Sequence, residues 1–590
     1  MLYPRETETR EVKDLSGIWD FKVDRNDEGR KAGWGVQPLT DTLPMPVPAS
    51  YNDITQDPTI RDHIGDVWYE RKFFVPALWQ GRRVELRVGA ASYAAIMFVN
   101  GKEVAQHKGG FLPFVADVSD IVRYGQPNRV TICVNNVLDY QTLPPGTVKV
   151  FNDETHPPGL KVQSYQQDFF NYAGIHRPVR LICTPKVRIS DVTVVTDVDG
   201  TIGIVNYNVA VEGGDRQVRV ALLDVAGKVV AKGDGATGKL TVAKAKLWQP
   251  GKAYLYTLRI ETVAGKAVED VYSLPVGIRT VAVKDGKFLI NGKPFYFTGF
   301  GKHEDMDVKG KGLDEAMNVK DFNLLKWVGA NSFRTSHYPY SEEIMNLADR
   351  EGMVVIDESS AVGMNFRVQN KTFGPDLLND ATLAHHLDIM RELIARDKNH
   401  PCVVMWSISN EPNTSDPGSG PYFKAVAEET RRLDPTRPIT LVECLWPHQS
   451  HASEYVDVIS HNSYAGWYGD CGHPEVATPQ LRHVLGGFNK RFNKPILVAE
   501  FGADTIAGFH SDPPQMWSEE YQVQMISEYA KAMDALPFII GEHVWNFADF
   551  MTAQGTGRVG GNKKGVFTRQ RQPKMAAHWL RQRWTKLKKY

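Results

Sequence analysis

The chain has 590 residues, 42% of them apolar and 23% charged, enough to bury a large core and more than a single domain holds. Lys plus Arg equals Asp plus Glu at 69 each, so net charge gives no reason to expect nucleic acid or a membrane surface, and any preference for an anionic ligand must be local. The five cysteines, at 133, 183, 402, 444 and 471, are odd in number, scattered and without a C-x-x-C pair, which points away from a disulfide framework and from a thiolate metal site.

The start, Met1 to Glu8, has no apolar stretch behind a basic one, and no segment is apolar for long enough to span a bilayer, so a cytoplasmic location is expected. Asn413-Thr414-Ser415 matches a glycosylation acceptor, but a glycan there would crowd the site proposed below. To about Cys183 the chain reads as short strands between turns, such as 67–76, 83–88 and 95–99, the last followed by Asn100-Gly101. Alternation and Asn-Gly turns predict an antiparallel β-sandwich. From 184 to 276, shorter alternating runs such as 217–227 predict a second sandwich of immunoglobulin size, without the Cys-Trp-Cys mark of antibody domains.

After a hairpin-like stretch at 288–295 the pattern changes to apolar strands alternating with amphipathic segments of helix length. Eight strands begin near Tyr296, Asn331, Met353, Val403, Ile439, Val456, Ile496 and Phe538. The helical stretches between them include 314–328, 341–351, 383–396, 421–433, 479–492 and 519–535. Eight such repeats predict a (β/α)₈ TIM barrel over 277–590, with its chemistry at the C-terminal rim.

Two of these strands run straight into a carboxylate. Val403 to Asn410 leads into Glu411 and then Pro412, and Ile496 to Ala499 leads into Glu500 with Phe501-Gly502 behind it. Glu358, Glu443 and Glu542 also end apolar runs, so strand position alone leaves five candidates. Asn410 sets Glu411 apart, because a neutral amide can hold a sugar 2-hydroxyl while the neighbouring acid works on the glycosidic oxygen. Gly502 beside Glu500 reads as a flexible position after an aromatic, as a nucleophile needing close substrate approach would use. Two rim carboxyls on one cavity form the pair that cleaves a glycosidic bond, one protonating the leaving oxygen and the other attacking or activating water.

Residues suited to a sugar surround them: Arg334 and His337 after the second strand, Asn462, Tyr464, Trp467 and Tyr468 after the sixth, and Trp545 after the eighth. Aromatic rings pack on sugar C–H faces, although each is equally well read as barrel core. The segment 555–565 contains a formal G-x-G-x-x-G, but it follows the last strand and opens no helix-length apolar pattern, so it is a weak dinucleotide signal. It reads either as a solvated basic turn or as a loop whose Arg558, Asn562 and Lys564 gather negative charge onto the substrate side of the rim. His385 and His386 are adjacent and there is no H-E-x-x-H, so no metal is expected.

Together with 171–177 in the first sandwich and 297–305 at the first barrel strand, these motifs make nearly the whole chain resemble glycoside hydrolase family 2, most closely its glucuronide-cleaving members. The resemblance implies a jelly-roll sugar-binding domain over 1–183, an immunoglobulin-like sandwich over 184–276 and the catalytic barrel. It makes Glu411 of the Asn-Glu-Pro motif the acid/base and Glu500 of the Glu-Phe-Gly motif the nucleophile of a retaining hydrolysis of β-D-glucuronides. In Asn562-Lys563-Lys564 it sees the Asn-x-Lys element whose amide and ammonium hold the sugar's C6 carboxylate. It also places Asp168, His337, Asn410, Asn462, Tyr464, Tyr468, Trp545 and Arg558 around the sugar, calls for no cofactor, and implies a homotetramer. The stretch 364–379 is shorter than the loop that bacterial members often carry there, which bears on the aglycone. The competing readings are a relative acting on a neutral sugar, a non-catalytic carbohydrate-binding protein and, from the glycine pattern alone, a nicotinamide oxidoreductase.

Overall fold

The computed structural model describes residues 1–365 and 371–587. In the N-terminal region two antiparallel sheets face each other. One has four strands in the order Glu11–Asp14, Val179–Thr184, Arg83–Val88, Phe114–Asp117; the other has six, centred on Asp66–Val75 and Gln126–Asn135. Their inward side chains, among them Trp19, Phe21, Tyr69, Leu86, Met97 and Ile132, form one apolar core. The predicted Asn-Gly turn joins Ala94–Val99 to Lys102–Lys108, with Asn100 at φ 52° and Gly101 at φ 85°, both in the left-handed region this hairpin turn requires. A second sandwich follows, with sheets of three and four strands between Arg188 and Val276 and its own core of Val205, Leu222, Leu258 and Ile260.

The barrel strands are β1 Phe297–Gly301, β2 Ser332–Arg334, β3 Val354–Glu358, β4 Val403–Asn410, β5 Ile439–Glu443, β6 Val458–Asn462, β7 Ile496–Glu500 and β8 Ile539–Val544. All neighbours are parallel, and β8 pairs back to β1 through Phe297 and Gly541 to close the ring. Every residue of β4 and β7 is buried, as a strand covered by core on one face and helices on the other must be. The helices are α1 Glu315–Val328, α2 Glu342–Glu351, α3 Asp380–Asp397, α4 Ser419–Leu433, α5 Ala477–Phe492, α6 Glu519–Asp534 and α7 Met575–Trp584. Side chains of Asp314, Ser341 and Ser518 cap the first turns of α1, α2 and α6. Between β5 and β6 the described chain makes only a short 3₁₀ turn, Ser453–Tyr455. Helix α7 is not among the stretches named from the sequence; it is short, and its apolar positions Ala576, Ala577, Leu580 and Trp584 are interleaved with Arg581 and Arg583.

The first sandwich is joined tightly to the barrel. Its Phe111, Leu112, Leu143 and Phe169 belong to the same apolar cluster as the barrel core. Arg177 Nη2 donates to Pro339 O at 2.7 Å and to Glu304 Oε2 at 3.2 Å, and the Phe170 amide donates to Met551 O at 2.8 Å, which brings Asp168 to the barrel's rim. Among the described residues no helix is long and apolar enough to cross a membrane.

Candidate active site

A cavity of about 690 Å³ opens at the C-terminal rim. Glu411 and Glu500 both line it, with Asp168, His337, Asn410, Asn462, Tyr464, Tyr468, Trp545 and Arg558. Asn562 and Lys564 lie behind this wall, almost wholly buried. Trp467 is turned away, its ring centroid 5.3 Å from that of Trp517.

Glu411 follows β4 with φ at 48°, a left-handed backbone that a β-carbon resists; such strain persists where the surroundings over-determine it. Its amide donates to Val442 O at 2.8 Å, and its Oε1 accepts from Asn462 Nδ2 at 2.7 Å. Burial above all, then the negative charge of Glu500, pushes its carboxyl up to about 7, against smaller opposing effects of the Asn462 hydrogen bond and Arg334. The preceding Asn410 accepts on Oδ1 from Arg334 and Asn462, both at 3.3 Å, and its NH₂ has no partner among the described residues. That leaves an amide donor for a hydroxyl beside the acid.

Glu500 accepts a hydrogen bond on each oxygen, from Arg334 Nη2 at 2.5 Å and from the Tyr464 hydroxyl at 2.7 Å. Arg334 is wholly buried and shared, because its Nη1 also donates to Glu358 at 2.7 and 2.8 Å. Glu358 further accepts from His337 Nδ1 at 2.9 Å and Ser407 Oγ at 2.7 Å. Burial draws the Glu358 carboxyl upward, but Arg334, His337 and Ser407 outweigh it and hold the group below its ordinary value. Trp545 stacks on His337 with centroids 5.0 Å apart and planes at 22°.

The three competing glutamates are thereby accounted for. Glu358 is saturated by Arg334, His337 and Ser407. Glu443 accepts from Ser450, Ser453 and Thr414, and Glu542 from Arg583, Trp584 and Tyr296. None of the three lines the cavity. Gly502 is not in a positive-φ conformation; a β-carbon there would stand 2.2 Å from Trp545 O, so close backbone approach, instead of the flexibility expected from sequence, is what demands glycine.

On the far wall Asp168 accepts from Arg558 Nε at 2.8 Å and Asn562 Nδ2 at 2.7 Å. Tyr468 OH meets Arg558 Nη2 and Lys564 Nζ, each at 2.8 Å. Asp504, which the sequence did not single out, bonds Lys564 Nζ and also accepts from Arg558 Nη1 at 3.3 Å. No helix opens from the glycine-rich segment, which turns back on itself between Gly555 and Arg558. Of the stretch 364–379, residues 366–370 lie outside those described. Away from the cavity, Asp349, His400 and Cys402 come within 4.8 Å of one another, the spacing of a metal cluster. There Asp349 already accepts from His400 Nδ1 at 2.6 Å and the Cys402 amide at 2.9 Å, so hydrogen bonds account for the grouping.

Three family models cover the chain: "Glycosyl hydrolases family 2, sugar binding domain" over 12–185, "Glycosyl hydrolases family 2" over 187–279 and "Glycosyl hydrolases family 2, TIM barrel domain" over 281–589. The chain belongs to glycosyl hydrolase family 2. This family 2 hydrolase acts on glycosidic bonds, and its architecture is the jelly-roll sandwich, immunoglobulin-like sandwich and TIM barrel expected from the sequence. It is 56% identical to a protein of Paenibacillus borealis named beta-glucuronidase, over all of this chain and 99% of that one. It superposes on the solved beta-D-glucuronidase of Dictyoglomus thermophilum with a TM-score of 0.95 at 53% identity, covering 100% and 99% of the two chains. On the Ruminococcus gnavus beta-glucuronidase in complex with uronic isofagomine the TM-score is 0.96 at 40% identity, covering 99% and 98%.

Proposed function

We propose that this family 2 hydrolase is a retaining β-glucuronidase that converts β-D-glucuronides to D-glucuronate and an alcohol. The observation that carries the chemistry is a carboxyl pushed up to about 7 beside a second carboxylate that accepts a hydrogen bond on both oxygens. Glu411 is suited to hold a proton near neutrality, and Glu500, held by Arg334 and Tyr464, to present an oxygen to C1. In the first step the Glu500–C1 bond forms as the glycosidic C1–O bond breaks, and the Glu411 proton passes to the departing oxygen. Covalent attachment removes the Glu500 charge, so the Glu411 carboxyl drops and takes a proton from the water that attacks C1 and frees Glu500. The sugar class is supported by Arg558 at one end of the cavity with Lys564 behind it, and by relatives named for glucuronides, one solved with a uronic ligand. The resemblance adds a homotetramer and a division at 1–183, 184–276 and 277–590, and five cysteines, scattered and without a C-x-x-C pair, suit a reducing, cytoplasmic compartment.

The test is NMR of an aryl β-D-glucuronide reaction, with an aryl β-D-galactoside alongside. The β-anomer of glucuronate is expected to form first and the glucuronide to be strongly preferred. Initial release of the α-anomer would rule out retention, and equal turnover of the two sugars would rule out the substrate.

A further inference from the structure

The end of the cavity that carries Arg558 and Lys564 is built from two cations and two carboxylates, Asp168 and Asp504, so as assembled it carries no formal excess of positive charge. Attraction for an anion must then come from where the donors point. Lys564 is fully buried with its ammonium among three rings, 4.7 Å from the Tyr468 centroid, 5.2 Å from Trp467 and 5.5 Å from Tyr464. A buried ammonium needs a counter-charge, and among the described residues the one carboxylate bonded to it is Asp504. The Asp504 side chain is itself wholly buried, and its other oxygen accepts from the Lys563 backbone amide at 2.8 Å.

We propose that Asp504 is a positioning residue for the anionic end of the sugar. Its carboxylate fixes the Lys564 ammonium, the Arg558 guanidinium and the backbone of the loop bearing them in the arrangement that receives a C6 carboxylate. The placement has a second consequence. Asp504 lies four residues beyond Glu500 on the same segment, and Gly502 between them is seated under Trp545 O, so a short pinned stretch sets the span from the attacking oxygen to the anion anchor. A ring whose C6 bears no charge draws little from that anchor, so Asp504 bears on which sugar is held.

The inference rests on the glucuronidase reading, and its test separates the two. Steady-state kinetics of Asp504→Asn, Lys564→Ala, the double variant and Asp504→Glu are compared on 4-nitrophenyl β-D-glucuronide and 4-nitrophenyl β-D-galactoside. Outer partners of a ligand site cost roughly 10- to 100-fold when removed, so Asp504→Asn should lower glucuronide kcat/KM by that much, mostly through KM, and lower the glucuronide-to-galactoside ratio with it. Asp504→Glu should recover part of the loss. In the Lys564→Ala background Asp504→Asn should cost clearly less than it does alone, because only its contacts to Arg558 and the loop backbone are left to lose. Equal losses on both sugars, or full additivity with Lys564→Ala, would overturn the inference and leave the glucuronidase reading standing. A wild-type enzyme with no glucuronide preference would overturn both. Should Asp504→Asn alone fail to fold, the double variant leaves neither charge unpaired and is compared directly with Lys564→Ala.

Discussion

At Glu411 the same environment that suits an acid works against stability, and the two effects separate with pH. The folded carboxyl holds its proton to about 7, against an ordinary value of 4.5, because burial and then Glu500 disfavour its charge. In its proposed role of proton donor it is active only while protonated, so kcat/KM for an aryl glucuronide should fall as pH rises through about 7. Replacing Glu500 by Gln removes one of the effects that raise it, and because that variant lacks the attacking carboxylate of the proposed mechanism, the shift is read by a carboxyl ¹³C NMR titration, which should place the Glu411 carboxyl lower. For stability the sign follows from the raised value: the contribution is full below the unfolded pKa and is lost as pH rises through the folded one. Glu411→Gln should therefore melt above wild type at pH 8 and show no such gain at pH 4, while losing activity by roughly 10² to 10⁴ on substrates with poor leaving groups. A variant that melts alike at both pH values would mean that the carboxyl is not strained by its site.

The elements show what kind of information the sequence carried. The eight barrel strands were legible because each is a buried run, and six of the seven described barrel helices because apolar periodicity is local, α7 being the exception. The choice among five glutamates rested in the sequence on neighbours such as Asn410 and on the resemblance, because the partners that occupy Glu358 and Glu542, Arg334 and Arg583, lie 24 and 41 residues away along the chain. Asp504 was invisible for the same reason: nothing local marks an aspartate that meets Lys564 sixty residues on. Gly502 was noticed but misread, because a glycine's neighbours in space decide its purpose. With Trp545 O at 2.2 Å from a β-carbon at 502, Gly502→Ala must push β7 and the chain after β8 apart. Overpacking of this kind costs about 1–3 kcal/mol, read as a lower urea midpoint. Activity should fall as well, because Glu500 and Trp545 both belong to the cavity wall that is pried open.

Across the whole molecule, arginines of the first sandwich meet acids of the barrel in buried and half-buried pairs. Arg87 Nη2 donates to Glu342 Oε2 at 2.7 Å, and Arg180 Nη2 to Glu343 Oε1 at 2.9 Å, both acids in the first turn of α2. In the reverse direction Arg569 reaches from the barrel to Asp53 Oδ2 at 3.2 Å and to the Tyr172 hydroxyl at 2.8 Å. Such pairs contribute little net stability against an apolar substitute, but breaking one leaves a charge stranded where water does not reach. Arg87 is 2% exposed and Glu342 8% in their side chains, so Arg87→Met should cost about 3–5 kcal/mol, whereas Arg87→Met with Glu342→Leu should cost much less. Calorimetry decides between the two, and the rank order is the diagnostic: if the double variant were the weaker, the pair would be a true source of stability. The arrangement also bears on the site. Asp168 belongs to the first sandwich while Arg558 and Asn562 belong to the barrel, so the single Arg87 variant should raise KM for glucuronide even below its melting transition, and the double variant should restore it.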